Sequence, residues 1–272
     1  MVLDGHVHIG KGAADPAGLL RRMGEAGVAG GAIISRPPAC FGRNEDGAPA
    51  DERLDNLLAW TAGRASLHPL FWIDPTADDA LRQVALAVER GVEGFKVIAS
   101  RHEPGDARAM RAYAAIAEAG RPILFHSGIL WDGAPSSEHC RPAKFEAMLD
   151  VAHLRFALAH VGWPWCDELI AVYGKFEQAR RAAPERAAEM FVDAAPGTPP
   201  IYRHEVLTKL FTVGYDVERN VIFGTDCNAG RYDSAWGRQW IERDRAIYDS
   251  LGLGEAVQRQ VFGENLERFL RG

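Results

Sequence analysis

Hydrophobic positions in the chain fall into short runs, each followed by a stretch where apolar residues recur every three or four positions. Short apolar runs bounded by Gly, Pro or Asp predict strands, and the recurrence near 3.6 residues predicts helices. "LDGHVHIG" is the first run, and "DPAGLLRRMGEAGV" is the helix behind it. The alternation repeats through "GGAIISRP" and "DERLDNLLAWTAGR", "SLHPLFWIDP" and "TADDALRQVALAVERG", and "VEGFKVIAS" and "DARAMRAYAAIAEAG". It continues with "RPILFHSG" and "RPAKFEAMLDV", then "LRFALAHVG" and a long helical region to about Glu189. "MFVDAAPG" with "YRHEVLTKLFTVG" is the seventh unit. "NVIFGTD" is the eighth strand, followed by helical "AWGRQWIERDRAIYDSLGL" and "EAVQRQVFGENLERFL". Thr76, three residues before Asp79, has the spacing of a helix N-cap.

Strands that alternate with helices pair in parallel. Eight such units in 272 residues match a (β/α)8 TIM barrel, for which about 250 residues is typical. An open doubly wound sheet would want a Gly-rich phosphate loop after its first strand. The chain has "HVHIGKGAAD" there, which also speaks against nucleotide binding. No linker or composition break divides the chain, so residues 1–272 read as one domain.

Composition narrows the class. The chain is 47% hydrophobic and 25% charged, as globular proteins are. A net charge of -6 without a basic run leaves no electrostatic footprint for nucleic acid. No apolar run has the length of a membrane span, and no signal peptide precedes Asp4. The four cysteines are scattered with no CxxC pair, which suggests reduced thiols and a cytoplasmic protein.

A barrel gathers its chemistry at the C-terminal ends of its strands. His6 and His8 end the first strand; being two apart they share a face, and Asp4 is expected on it too. Two buried imidazoles need partners for their ring nitrogens, and a divalent metal supplies one. Lys96 lies on the fourth strand, and His126, His160 and Asp226 end the fifth, sixth and eighth. His160 has the parity of Phe156 and Leu158, which predicts one shared inward face.

The pieces "DGHVHIG", "GFKV", "ILFHSG", "ALAHVG", "IFGTDC" and "VFGENLERFL" resemble, in order and over the whole chain, the amidohydrolase superfamily. Within it they resemble the amidohydrolase-related branch, which also contains aminocarboxymuconate-semialdehyde and resorcylate decarboxylases. By that resemblance His6, His8, His126 and Asp226 hold a metal. Three imidazoles and a carboxylate suit zinc, while Fe, Mn, Co or Ni fit the same set. Water on such a metal has its pKa drawn toward about 7, and Asp226 would take its proton and pass it to the leaving group. His160 either handles a proton or binds a second metal. Lys96 is either a bridging carbamate, in which case two metals are expected per chain, or a charged amine beside Asp226 or a substrate carboxylate.

Trp163, Tyr202, Arg203 and Arg36 lie near strand ends and are candidate substrate contacts, with Arg203 suited to a carboxylate. Asp193 is a candidate for orienting a ligand, and Trp131 for a lid. His68, His102, His139, His153 and His204 are expected to be structural or solvent-facing, and Cys227 a packing residue. The resulting expectation is a metal-dependent hydrolase that cleaves an amide, ester or lactone of a small molecule. Its chief rival is a non-oxidative decarboxylase on the same scaffold. A hydratase or isomerase of an unsaturated acid and a non-enzymatic binding barrel are the others. Dimers are common in the superfamily, so a homodimer is one assembly open to this chain.

Overall fold

The computed structural model describes residues 1–41 and 47–272. Five residues of the loop after the second strand therefore lie outside the described residues. The strands are β1 Leu3–His8, β2 Gly30–Ile34, β3 Leu67–Trp72, β4 Gly94–Val97, β5 Ile123–Phe125, β6 Arg155–Leu158, β7 Glu189–Asp193, β8 Val221–Ile222 and β9 Cys227–Asn228. The helices are α1 Pro16–Glu25, α2 Ala50–Thr61, α3 Ala80–Glu89, α4 Ala107–Glu118, α5 Cys166–Ala182, α6 Pro200–Thr212, α7 Ser234–Ser250, α8 Glu255–Arg259 and α9 Asn265–Arg271. All strand pairs are parallel, in the order β8-β7-β6-β5-β4-β3-β2-β1-β9.

β8 and β9 are two parts of one segment. The first pairs with β7 and the second with β1, and between them the Gly5 N–H donates to the Phe223 carbonyl at 2.8 Å. The sheet thereby closes, and the chain is a single-domain (β/α)8 barrel, as its sequence pattern predicts. Among the described residues no helix is long and apolar enough to cross a membrane.

Two apolar clusters follow the alternation of strand side chains. Ala32, Ile34, Leu70, Leu124, Ala157, Phe191 and Ile222 pack inward, with Leu266, Phe269 and Leu270 of α9 joining them beside Leu3. Ile33, Phe71, Phe95, Val97, Phe125, Phe156 and Leu158 pack outward with the helices. α9 thus covers the N-terminal end of the barrel and leaves the other end open.

The predicted elements shift in three places. Residues 142–150, expected as α-helix, form tight 3-10 turns over Pro142–Asp150. The helix expected to reach Glu189 stops at Ala182, where Pro184 disfavours helical backbone just before it. Thr76 does not cap α3: its N–H and hydroxyl both donate to Asp74, and Asp79 holds the N-cap position.

Candidate metal centre

His6 and His8 face the barrel mouth from β1, but Asp4 does not. The β1–β2 register slips between Asp4 and Val7, which breaks the two-residue alternation. Leu3 therefore packs inward along with His6 and His8, while Asp4 turns to the neighbouring strand. It is fully buried and accepts from the His6 N–H at 3.0 Å, the Thr225 N–H at 2.9 Å, the Thr225 hydroxyl at 2.5 Å and the Tyr232 hydroxyl at 3.0 Å. Burial still pushes its carboxyl up to about 6 against those donors. The expectation of Asp4 on the histidine face is thus corrected; it ties β1 to the segment that carries Asp226.

Asp226 follows Thr225 with a left-handed backbone, φ 55°. Its Oδ1 lies 3.6 Å from His6 Nε2 and 3.5 Å from His8 Nε2, and those two nitrogens are 3.1 Å apart. One ligand atom from each of the three residues lies within 4.8 Å of the others. His6 Nδ1 is 2.5 Å from Asp193 Oδ2; since the carboxylate accepts, Nδ1–H donates and Nε2 carries a lone pair. Bare nitrogens and a carboxylate oxygen at this spacing are a donor set that a divalent cation satisfies. Asp193 plays the orienting part expected of it, and the Ala195 N–H holds its other oxygen at 2.6 Å.

Lys96 stands under this cluster, its Nζ 3.5 Å from His6 Nε2 and 1% exposed. Burial lowers its amine to about 8, against the opposing pull of Asp193 and Asp226. Desolvation also holds His6, His8 and His126 well below the usual imidazole range and His160 at about 4, so all four are in the neutral, ligating form. Desolvation likewise pushes Asp226 up to about 7, with Asp193 adding and Lys96 opposing. A bound cation would draw that value down.

His126 and His160 line the same cavity, with ring centroids 5.0 Å apart. His126 Nε2 meets the Ile129 carbonyl at 3.2 Å, and the tight three-residue cluster does not include it. His160 Nδ1 faces the Ala195 carbonyl at 3.4 Å, and its ring lies 5.1 Å from that of His6. It does not arrive by the predicted parity. Phe156 and Leu158 point outward, and His160 comes inward because the chain turns left-handed at His160 (φ 62°) and Val161 (φ 48°). Such a turn is strained for a β-branched residue, and the surrounding structure holds it in place at the cavity. Gly197 packs on His160 so closely that a Cβ there would lie 2.5 Å from the His160 Cβ.

The cavity above the cluster has a volume of about 450 Å³, a size suited to a small molecule. Trp163 and Trp131 line it, as do Phe41, Trp72, Leu130 and Asn228, which sequence reasoning did not select. Trp72 could have been found, because it ends β3 with inward parity. The other candidates lie elsewhere. Arg203 is 1% exposed and makes a two-pronged pair with Asp244, Nε at 2.9 Å and Nη2 at 2.6 Å. Tyr202 is 46% exposed on a separate surface groove shared with Trp163 and Trp165. Arg36 is buried and donates to Glu52 at 3.1 Å. These three do not line the cavity, which corrects their assignment as substrate contacts. Cys227 is buried, and burial raises its thiol to about 11, in keeping with packing. His68 and His139 pair with Glu93 and Glu103, outside the site.

With this geometry in place, comparison with known proteins adds the lineage. A family model described as Amidohydrolase matches residues 4–272. The chain belongs to the amidohydrolase family. No protein of curated function matches it in sequence. An amidohydrolase from Burkholderia multivorans superposes with a TM-score of 0.63 at 14% identity, covering 99% of each chain. The 2,6-dihydroxybenzoate decarboxylase from Rhizobium gives 0.61 at 13% identity, covering 99% of this chain and 97% of the other. A dihydroorotase from Campylobacter jejuni gives 0.61 at 12% identity, covering 98% and 82%. At these identities the likeness is one of fold. Members of the family are enzymes, so the site is read as catalytic; hydrolases and a decarboxylase share its scaffold.

Proposed function

We propose that this protein is a metal-dependent hydrolase that cleaves an ester, lactone or amide bond of a small molecule in the cytoplasm. The observation that carries the reading is the His6–His8–Asp226 cluster beneath a cavity of about 450 Å³, with a carboxylate beside the ligand nitrogens. Bound there, a divalent cation such as zinc would polarise the substrate carbonyl and acidify water. The chain's own residues do the rest. His6 and His8 hold the cation, with the His6 ring fixed by Asp193. Asp226, its carboxylate oxygen beside both ligand nitrogens, takes a proton from the attacking water as the new C–O bond forms. It returns that proton to the departing oxygen or nitrogen as the scissile bond breaks. His160 faces the same space; with its Nδ1–H toward the Ala195 carbonyl, its bare Nε2 is the side that can accept a proton or hydrogen bond from water or substrate. Lys96 stays an amine on this reading, because the clustered ligand atoms serve one cation and a bridging carbamate calls for two.

Hydrolysis of an aryl acetate in ¹⁸O-labelled water, run beside metal analysis of the purified chain, tests this. One ¹⁸O in each acetate and about one metal per chain are expected. Release of CO2 from a carboxylic acid, with no turnover of esters or amides, would replace hydrolysis with decarboxylation. His160 lining the cavity outside the ligand cluster, where it can handle a proton, is the observation that favours that second reading.

A further inference from the structure

The cavity over the metal cluster has two unlike sides. His6, His8, His126, His160 and Asp226 form the polar one. The facing wall is apolar: Phe41, Trp72 and Leu130 belong to one cluster, with Ile98 packed on it, and all four line the cavity. The rings of Phe41 and Trp72 are 4.9 Å apart, and Trp72 reaches the metal-side ring of His8 at 5.7 Å. A continuous run of rings, tilted by 53° and 57° to one another, therefore leads from the loop after β2 to the cation's ligands. Among the described residues that line the cavity, Lys96 is the sole fixed cation. It sits at the floor, with Asp193 and Asp226 acting on its charge. The arginines nearest in the strand-end pattern are held by other carboxylates, Arg36 by Glu52 and Arg203 by Asp244. Among the described residues, this wall offers a carboxylate on the far end of a substrate no charged partner to replace its hydration.

We infer that the substrate is an uncharged aromatic ester, lactone or amide, its carbonyl at the metal ligands and its flat body against the Phe41–Trp72 wall. The inference rests on the hydrolase reading, and its test separates the two. The zinc-loaded full chain is assayed with phenyl acetate and with 4-acetoxybenzoate, which adds one carboxylate remote from the same scissile bond. Each kcat/KM is divided by the ester's rate with hydroxide. Phenyl acetate is expected to lead by at least tenfold, and Trp131→Arg, which adds a cation at the exposed rim, is expected to cut that lead at least fivefold. Equal values, or a preference for the acid, overturn the substrate class and leave hydrolysis standing. If neither ester turns over, quenching of tryptophan fluorescence by benzamide and by 4-carboxybenzamide decides. Tenfold tighter binding of benzamide keeps the substrate class and sinks hydrolysis, whereas no preference sinks both.

Discussion

The Arg203–Asp244 pair offers a direct test of the reassignment of Arg203 from substrate contact to internal brace. Both side chains are at most 1% exposed, and the guanidinium also lies over the Trp240 ring at 5.1 Å. Asp244→Asn removes one charge and leaves the other buried without compensation. Breaking a buried pair in this way costs about 3–5 kcal/mol. At roughly 2–4 °C per kcal/mol for a chain of this size, Tm should fall by roughly 6–20 °C. Replacing both partners with apolar residues of similar volume, Arg203→Met with Asp244→Leu, removes both charges at once and should recover most of that loss. The assay is thermal unfolding for Tm and urea unfolding for free energy on the single and double variants, with ester hydrolysis measured on the double variant. The reasoning is refuted if Asp244→Asn costs less than about 1 kcal/mol, below the range for an uncompensated buried charge. It is equally refuted if the double variant is stable but has lost affinity for substrate, since Arg203 would then touch the substrate after all.

Zinc at a hundred times its Kd should stabilise the chain by about 2.7 kcal/mol, and His8→Ala should abolish that gain in the same thermal titration. Asp193→Asn leaves the His6 tautomer unfixed, and calorimetric zinc affinity should fall about 10–100-fold. Gly197→Ala presses on His160 and should lower kcat/KM while zinc affinity is retained, because His160 lies outside the ligand cluster. His126→Asn reports on pH. Burial holds His126 well below its ordinary value, so below about pH 6.5 the unfolded chain binds a proton that the folded chain does not, and stability is lost as pH falls. Between pH 7 and 5 the metal-free variant should therefore gain about 2 kcal/mol on the wild type in urea midpoints converted to free energy, and no change in the difference would refute the burial argument.

Barrel and cluster were legible from sequence for one physical reason. Inward parity along a strand and the bias toward strand ends together place a polar residue without any knowledge of side-chain contacts. That is how Lys96, His126 and Asp226 could be placed at the cavity from strings such as "GFKV" and "IFGTD". Parity failed wherever the backbone left ideal strand geometry. The slip between Asp4 and Val7 moved Asp4 off the histidine face, and the left-handed pair His160–Val161 brought His160 inward by a route its numbering denies. Gly5 lies within the slip and Gly162 follows the turn, but glycines are too common at strand ends for either to signal the departure. Arg203 and Arg36 failed differently. Charge on a loop near a strand end suggests substrate, yet whether the charge is already spent depends on which distant carboxylate the fold delivers, and Asp244 arrives from 41 residues away.

The same long-range delivery joins the metal centre to the closure of the barrel. His6 and His8 come from one end of the chain and Asp226 from the other, and β9 beside β1 is the contact that brings them together. Asp4 fastens that seam, taking both hydrogen bonds of Thr225 while its own neighbour Gly5 donates across to Phe223. Closing the seam has a local cost: it sets a carboxylate oxygen 3.5–3.6 Å from two imidazole nitrogens that β1 already holds 3.1 Å apart. A cation turns those repulsions into ligation, so whatever it contributes at the site it contributes equally to holding the first and last strands together. Metal affinity and barrel stability are on this account one linked quantity, because a chain with an open seam has no site for the cation to bind.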